Sequence, residues 1–583
     1  MDVLRRPRAT WCKRPGSVVR GAIAVAAITT LLFLSAGIDV CSASGAGGSG
    51  AVASAAPAAT AVGLDILRVG GNAVDAAVAT ALALAVVHPT AGNLGGGGFA
   101  VVRIGGRVVA LDFRETAPSA ATAGMFLGPD GKPDPERSLV GPLAAGVPGS
   151  PAGLFELHRR FGFLPWRNVV APAVRLAAEG FAVTPRLSRS IAAAKPLLTR
   201  FSETAAVWLP SGQAPPPGTM LKLPALAATL RSYAARGPKA LSAGPAADAI
   251  ERAARTRGGI LTAADLAAYQ PVWREPVLFT AFGWNVASMP LPSSGGIILA
   301  ETTGMLERLG WSRRPVGSVD RIHLLVETWR RAFADRFLLG DPATALAGPA
   351  QLLDPGWLDR RATEIDGMRA TASETVRPWH APRAHESRET THLSVVDGAG
   401  DAASLTTTLN GSFGCGLLVP EIGILLNNEM DDFAAAPGLS NLYGLVQGEA
   451  NAVGPGKRML SSMTPTVAWR AGEVLVLGSP GGSQIPTATA QVLLNVIVDG
   501  ETLRAAVDRP RVHHQWFPDV LVAEEGALSE PVRADLIRRG HLLRQAEGIG
   551  EVHAVRRKEG GVLEAVADPR GPGAAGVTDR QER

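Results

Sequence analysis

Five short stretches of this 583-residue chain carry side chains whose types and spacing could do chemistry. GSPGGS (478–483) sets Gly481 beside Gly482. Glycine accepts the dihedrals that turn two successive backbone N–H groups into one concavity suited to an anion. No GK[ST] follows, so this is not a phosphate loop; a Gly-Gly pair is by default only a turn. NNEMDD (427–432) concentrates negative charge at Glu429 and Asp432, although an acidic loop is ordinarily a solvated turn. Arg114, in LDFRETAP (111–118), has the planar fork that grips a carboxylate bidentately, where a lone arginine is ordinarily a surface charge. Ser461 and Ser462 add hydroxyl donors. Finally, Thr390 and Thr391 lead into one strand-like run, and Thr408 and Asn410, at i and i+2 in the next, share a face. Taken alone, TTTLN (406–410) is a β-prone, half-polar strand. Metal chemistry has no support in the spacing: the ten His form no HExxH or CxxC pattern, and adjacent His513 and His514 would face opposite ways on a strand.

The elements that must position these groups are legible in outline. Residues 56–87 read as two helices, the second starting at Asn72 and nearly all apolar, hence buried. Pro89 and the run 95–98 end it, and that glycine run reads as close backbone packing. Residues 99–104 and 108–113 flank Gly105-Gly106 as a hairpin. A mainly helical region follows over 151–269, and 322–338 carries an amphipathic helical period. Residues 342–387 are polar and broken by Pro355, Pro378 and Pro382, the character of a surface connection where cleavage is tolerated. The period then changes to two, with strands at 391–396 and 402–409 around a turn. Further strands are expected at 422–426, 464–469 and 474–478, with a helix at 487–498. This order predicts a layered α+β fold, with sheets covered by helices.

Length allows a large core, and 46% hydrophobic with 19% charged residues is an ordinary globular composition. The net charge of +5 resembles a nucleic-acid footprint only until it is located. Within 1–44, Arg5, Arg6, Arg8, Lys13, Arg14 and Arg20 face only Asp2 and Asp39, so the rest of the chain is nearly neutral. No basic stripe with interleaved aromatics is present, which excludes nucleic acid as an expected partner. The basic stretch precedes an uncharged run, 21–38, and a small-residue stretch, 41–55. That is the layout of a secretory signal, with a retained membrane anchor as the alternative. Export to the periplasm or beyond follows in either case. Once Cys12 and Cys41 leave with a signal, only Cys415 remains, so no disulfide framework holds the protein.

From about 53 to 570 the chain resembles the γ-glutamyltransferase family. The matching segments, in the family's order, are GGNAVDAA (70–77), HPTAGNLGGGGF (88–99), LDFRETAP (111–118), MPLPSSGG (289–296), TTHLSVVD (390–397), LLNNEMDDF (425–433), GPGKRMLSSMTPT (454–466), GSPGGS (478–483) and PRVHHQW (510–516). The resemblance implies an N-terminal nucleophile hydrolase with an αββα sandwich, built from two chains cut from one precursor. The implied cut lies between Glu389 and Thr390, giving a large subunit 45–389 and a small subunit 390–583, with Thr391 as the alternative first residue. The physics suits such a cut. A threonine hydroxyl needs an adjacent base, and a free α-amino group with pKa near 7.7 to 8.0 accepts its proton near neutrality. Only an N-terminal threonine carries both groups.

By the same resemblance Thr408 orients the nucleophile and Asn410 helps hold the substrate. Arg114, Ser461 and Ser462 take the α-carboxylate of a γ-glutamyl group, Glu429 and Asp432 its α-ammonium, and Gly481-Gly482 form the oxyanion hole. A γ-glutamyl group carries both charges, so its site is expected to keep cationic and anionic parts in separate places. Tyr443, in 437–448, resembles the tyrosine of a lid loop and reads equally well as a packed aromatic. The implied donors are glutathione and related γ-glutamyl amides, the acceptors water or amino acids and peptides, with no cofactor. Two alternatives remain: a β-lactam side-chain acylase, against which Asp432 argues, and an inactive homologue kept as a binding protein. Glu429 stands where some bacterial members carry Gln, and Cys415 is assigned no role.

Overall fold

The computed structural model describes residues 48–377, 390–435 and 448–578. The sandwich elements follow in chain order. First come β1 (Gly50–Ser54), α1 (Pro57–Arg68), α2 (Ala73–Val87), β2 (Gly97–Ile104) and β3 (Arg107–Phe113). After a mainly helical region come β4 (Val272–Arg274), β5 (Val277–Ala281), β6 (Trp284–Ser288), α3 (Gly295–Arg308) and α4 (Val319–Asp335). The last third supplies β7 (Thr391–Asp397), β8 (Ala402–Thr408), β9 (Thr466–Arg470), β10 (Glu473–Gly478), α5 (Gln484–Ile497), β11 (His553–Arg557), β12 (Leu563–Val566) and β13 (Ala574–Thr578).

Two antiparallel sheets result, ordered β13-β1-β7-β8-β2-β3-β4 and β12-β11-β10-β9-β6-β5. Strand alternation divides their side chains cleanly. Leu393, Val395, Ala403 and Leu405 pack with α1 and α2, whereas Val396, Ala402, Phe99 and Val101 meet Val467 and Val476 of the second sheet. The other face of that sheet, with Ala468, Leu475 and Leu477, packs on Leu299 of α3 and on Ala488 and Leu493 of α5. The layers are therefore helix, sheet, sheet, helix.

Local sequence explains the key elements. Asn72 caps α2 in a reciprocal box with Asp75, and all fifteen residues of the helix are buried. Its small side chains let α1 approach so closely that a Cβ on Gly63 would sit 2.4 Å from Thr80 Oγ1. The 95–98 glycines do pack backbone to backbone: a Cβ at Gly96 would lie 2.2 Å from the Thr408 carbonyl oxygen, and one at Gly98 2.3 Å from that of Thr406. Gly105 and Gly106, both at positive φ, make the β2–β3 turn.

Two expectations shift. The helix expected at 487–498 begins three residues earlier, directly after the Gly481-Gly482 turn, and the strand expected at 422–426 shrinks to Ile424–Leu425. The amphipathic period at 322–338 does not leave a solvated polar face. Residues 321–335 of α4 are all buried, and their charged side chains pair within the helix or with other parts of the chain. Glu327 pairs with Arg330 and Arg331, Asp335 with Arg361, and His323 with His541. Periodicity reports polarity, and here charge pairing replaces solvent.

Candidate active site

Thr390 immediately precedes β7, and the register Thr407↔Thr391 and Thr406↔His392 sets the start of β7 against the end of β8. Thr390 and His392 face the second sheet, whereas Thr391 faces the helices. Thr391 is buried, with no hydrogen-bond partner for its hydroxyl among the described residues. Only Thr390 of the two lines a cleft at the strand ends, where it is 8% exposed. That cleft also holds Thr408, Asn410, Arg114, Glu429, Asp432, Ser461, Ser462 and Gly482. Residues separated by more than 360 positions in the chain thus meet at one place. Gly481 adjoins it through Gly482. Tyr443, Glu389 and the segment 1–44 lie outside the described residues.

Thr408 Oγ1 accepts the backbone N–H of Asn410 at 2.8 Å. Asn410 adopts positive φ (70°), which asparagine tolerates, and its Nδ2 donates to the Asn428 carbonyl at 3.0 Å. These bonds tie the end of β8 to the acidic loop, whose Glu429–Asp432 turn is a 3₁₀ helix. On the opposite wall Ser461 Oγ accepts from Met463 N at 3.1 Å, and Ser462 Oγ is buried without a partner among the described residues. The loop after β10 places Gly481 (φ 127°) and Gly482 (φ 58°) ahead of Ser483, which is already helical. Such successive N–H groups at the start of the fourteen-residue α5 favour negative charge.

Arg114 departs from the expected separation of charges. Its guanidinium is fully buried and bonds Glu429 through Nη1 and Asp432 through Nη2, while Nε donates to the Met459 carbonyl at 3.3 Å. Glu115, also buried, lies 3.7 Å from Nη1. A desolvated guanidinium is stable only when paired, which is why the acidic loop closes onto it. Three carboxylates share this one cation. Burial, against the pull of Arg114, pushes Glu429 well above the usual carboxylate range and Glu115 up to about 7, with their mutual repulsion adding to the rise at Glu429. Arg114 stays charged throughout.

Several residues escaped sequence reasoning. Arg336, on the turn after α4, lines the cleft and donates through Nε to Ser294 Oγ at 3.1 Å. Ser294 Oγ in turn donates to the Ser461 carbonyl at 2.8 Å, so Arg336 props the serine wall. No spacing signal connects positions 336 and 461. His392 invites a general-base role by its position, yet its two nitrogens bond Thr406 Oγ1 (2.8 Å) and Ser394 Oγ (3.0 Å). Burial drives its pKa well below the usual value, so it is a neutral pillar between the sheets. His323, Glu327 and His541 converge within metal-ligand reach across α4, but both Glu327 oxygens are engaged by Arg330 and Arg331. His513 and His514 do take different partners, Thr487 and Asp519. Burial raises the Cys415 thiol to about 12, which leaves it unreactive.

The family model described as gamma-glutamyltranspeptidase matches residues 59–578. The chain belongs to that family. It is 42% identical over 526 residues to the glutathione hydrolase proenzyme of Escherichia coli (strain K12), covering 89% of this chain and 90% of that one. A cephalosporin acylase from Bacillus halodurans superposes with a TM-score of 0.79 at 29% identity, over 91% of this chain and 96% of that chain. The gamma-glutamyltranspeptidase of Pseudomonas nitroreducens complexed with L-DON is 41% identical, with a TM-score of 0.53, over 55% of this chain and 96% of that chain. The αββα sandwich implied by the sequence motifs is the observed fold.

Proposed function

We propose that this member of the family hydrolyses glutathione and other γ-glutamyl amides, and transfers their γ-glutamyl group, through an ester on Thr390. The observation that carries this reading is the meeting, in one cleft, of Thr390, an arginine with two carboxylates, and the Gly481-Gly482 turn. Cleavage between Glu389 and Thr390 would free the amine that activates the Thr390 hydroxyl. Oγ then attacks the γ-carbonyl carbon, its proton passes to the α-amine, and the oxyanion meets the N–H groups of Gly481 and Gly482. The α-amine returns the proton to the leaving amine. Water or an amino-acid or peptide amine then takes the γ-glutamyl group by the reverse sequence. Thr408 and Asn410 hold the end of β8 against the nucleophile.

Donor binding on this reading is an exchange of ion pairs. The α-carboxylate takes the guanidinium of Arg114 with help from Ser461 and Ser462, and the displaced Glu429 and Asp432 receive the α-ammonium. A glutaryl group has no ammonium to offer those two carboxylates, so the acylase alternative fits this cleft less well despite the Bacillus halodurans likeness. Tyr443 is proposed to close over the donor. The segment 1–44 is proposed to export the enzyme as a cleaved signal or an anchor; among the described residues no helix is long and apolar enough to cross a membrane.

The test is intact mass spectrometry of purified protein, with γ-glutamyl-p-nitroanilide turnover, in wild type and Thr390→Ala. Wild type should yield two associated chains, the smaller starting at Thr390, and release p-nitroaniline. Thr390→Ala should remain one inactive chain. A small chain that starts elsewhere, or normal processing of the variant, removes Thr390 from the mechanism.

A further inference from the structure

A second cavity among the described residues lies outside the cleft and shares no lining residue with it. Its volume of about 550 Å³ falls in the range of small-molecule sites. A space of this size with Phe155, Leu241, Ile250, Leu266 and Ile424 in its wall has the character of a small-molecule site. The charges at its edge are unequal. Glu156 is neutralised by both arms of Arg159, at 2.7 and 2.8 Å, and accepts Trp273 Nε1 at 2.8 Å. Lys239, an exposed residue of the lining, makes no ion pair among the described residues, which leaves one net positive charge at the cavity's edge.

Two wall residues also hold the catalytic cleft. The Tyr269 hydroxyl donates to the Arg114 carbonyl at 2.8 Å. The Gly95 carbonyl accepts Asn427 Nδ2 at 2.8 Å, and Asn427 Oδ1 accepts the Glu429 N–H at 3.0 Å. The main chain of Arg114 is therefore one hydrogen bond from this wall, and that of Glu429 two, through Asn427.

We propose that the cavity is a second ligand site for a small amphipathic anion, an aromatic or alkyl body carrying one carboxylate or sulfonate, with the anionic group at Lys239. An occupant that shifts Tyr269 or Gly95 alters the seat of Arg114 and Glu429, so it acts on donor KM rather than on the attack by the nucleophile. The probe is 1-anilinonaphthalene-8-sulfonate, followed by fluorescence, with dodecanoate as competitor. Full-length wild type should bind one equivalent saturably, and dodecanoate should displace it. Ala152→Trp fills the cavity and should abolish that phase. Lys239→Glu, at an exposed position, keeps the fold and should weaken binding about threefold to tenfold. Saturating dodecanoate should change the KM for γ-glutamyl-p-nitroanilide in wild type and leave kcat within twofold. The fluorescence result stands whatever the donor proves to be. Absence of a saturable phase, or binding that Lys239→Glu leaves unchanged, overturns the proposal.

Discussion

Replacing Arg114 by lysine isolates geometry from charge. The guanidinium serves Glu429, Asp432 and the Met459 carbonyl at once, from three nitrogens in one plane. A lysine ammonium is a single point with three donors, and it cannot meet two carboxylates and a carbonyl arranged around a planar fork. At least one hydrogen bond to a charged group is lost, which costs roughly 1.5 to 3 kcal/mol. If the same fork receives the donor's α-carboxylate, that loss corresponds to a fall in kcat/KM of roughly tenfold to 150-fold. The assay compares γ-glutamyl- and glutaryl-p-nitroanilide, after a denaturing gel has shown that the variant still cleaves itself. Both substrates keep a carboxylate for Arg114, so both should fall together and their ratio should hold. A kcat/KM within threefold of wild type, or a loss confined to the γ-glutamyl substrate, would refute the assignment of Arg114 to the carboxylate.

Asp432→Asn should behave in the opposite way: losing the counter-charge of the ammonium costs about 2 to 5 kcal/mol on the γ-glutamyl donor, and the ratio should move toward the glutaryl substrate. An unchanged ratio of kcat/KM values means that Asp432 does not meet the ammonium. Thr408→Ala removes the acceptor of the Asn410 N–H and should slow both self-cleavage and turnover without abolishing them, as gel time courses and initial rates would record. Burial holds a proton on Glu115 up to about pH 7 that the unfolded chain has released near 4.5, so folded stability declines as pH rises between those values and levels off above. Thermal unfolding of Glu115→Gln should accordingly drop less than wild type between pH 5 and 8, and parallel curves would contradict the buried, protonated state.

What sequence could reveal was set by how local each signal is. The second helix, its start at Asn72, the β2–β3 hairpin and the strand pair around 397–401 depend on residues within a few positions, and each lies within a few residues of its expected place. The face of Thr390 was not read from the sequence, which kept Thr391 as the alternative first residue; the pairing of β7 with β8 separates the two. The short Ile424–Leu425 strand and the burial of α4 were not legible, because both depend on what the rest of the chain brings alongside. The propping of Ser461 by Arg336 through Ser294 links positions too far apart for any spacing to show. For the site, the charged residues singled out by the motifs do gather in one cleft, but residue types alone could not tell that Arg114 meets Glu429 and Asp432 directly.

That contact explains how so polar a cleft persists inside the sandwich. An isolated guanidinium or carboxylate at this depth would be strongly destabilising, whereas the paired set is tolerated with part of its negative charge held as protonated acid. The same pairing sets a condition on any ligand. A simple anion would gain Arg114 but strand two buried carboxylates, and a simple cation would meet the carboxylates but still compete with Arg114 for them. A group with a carboxylate and an ammonium a few bonds apart replaces both halves of the pair at once and leaves no buried charge unmatched. On the proposed reading, selectivity for a free α-amino acid end would follow from the ion pair that the cleft already contains, with Thr390 standing where the far end of such a group arrives.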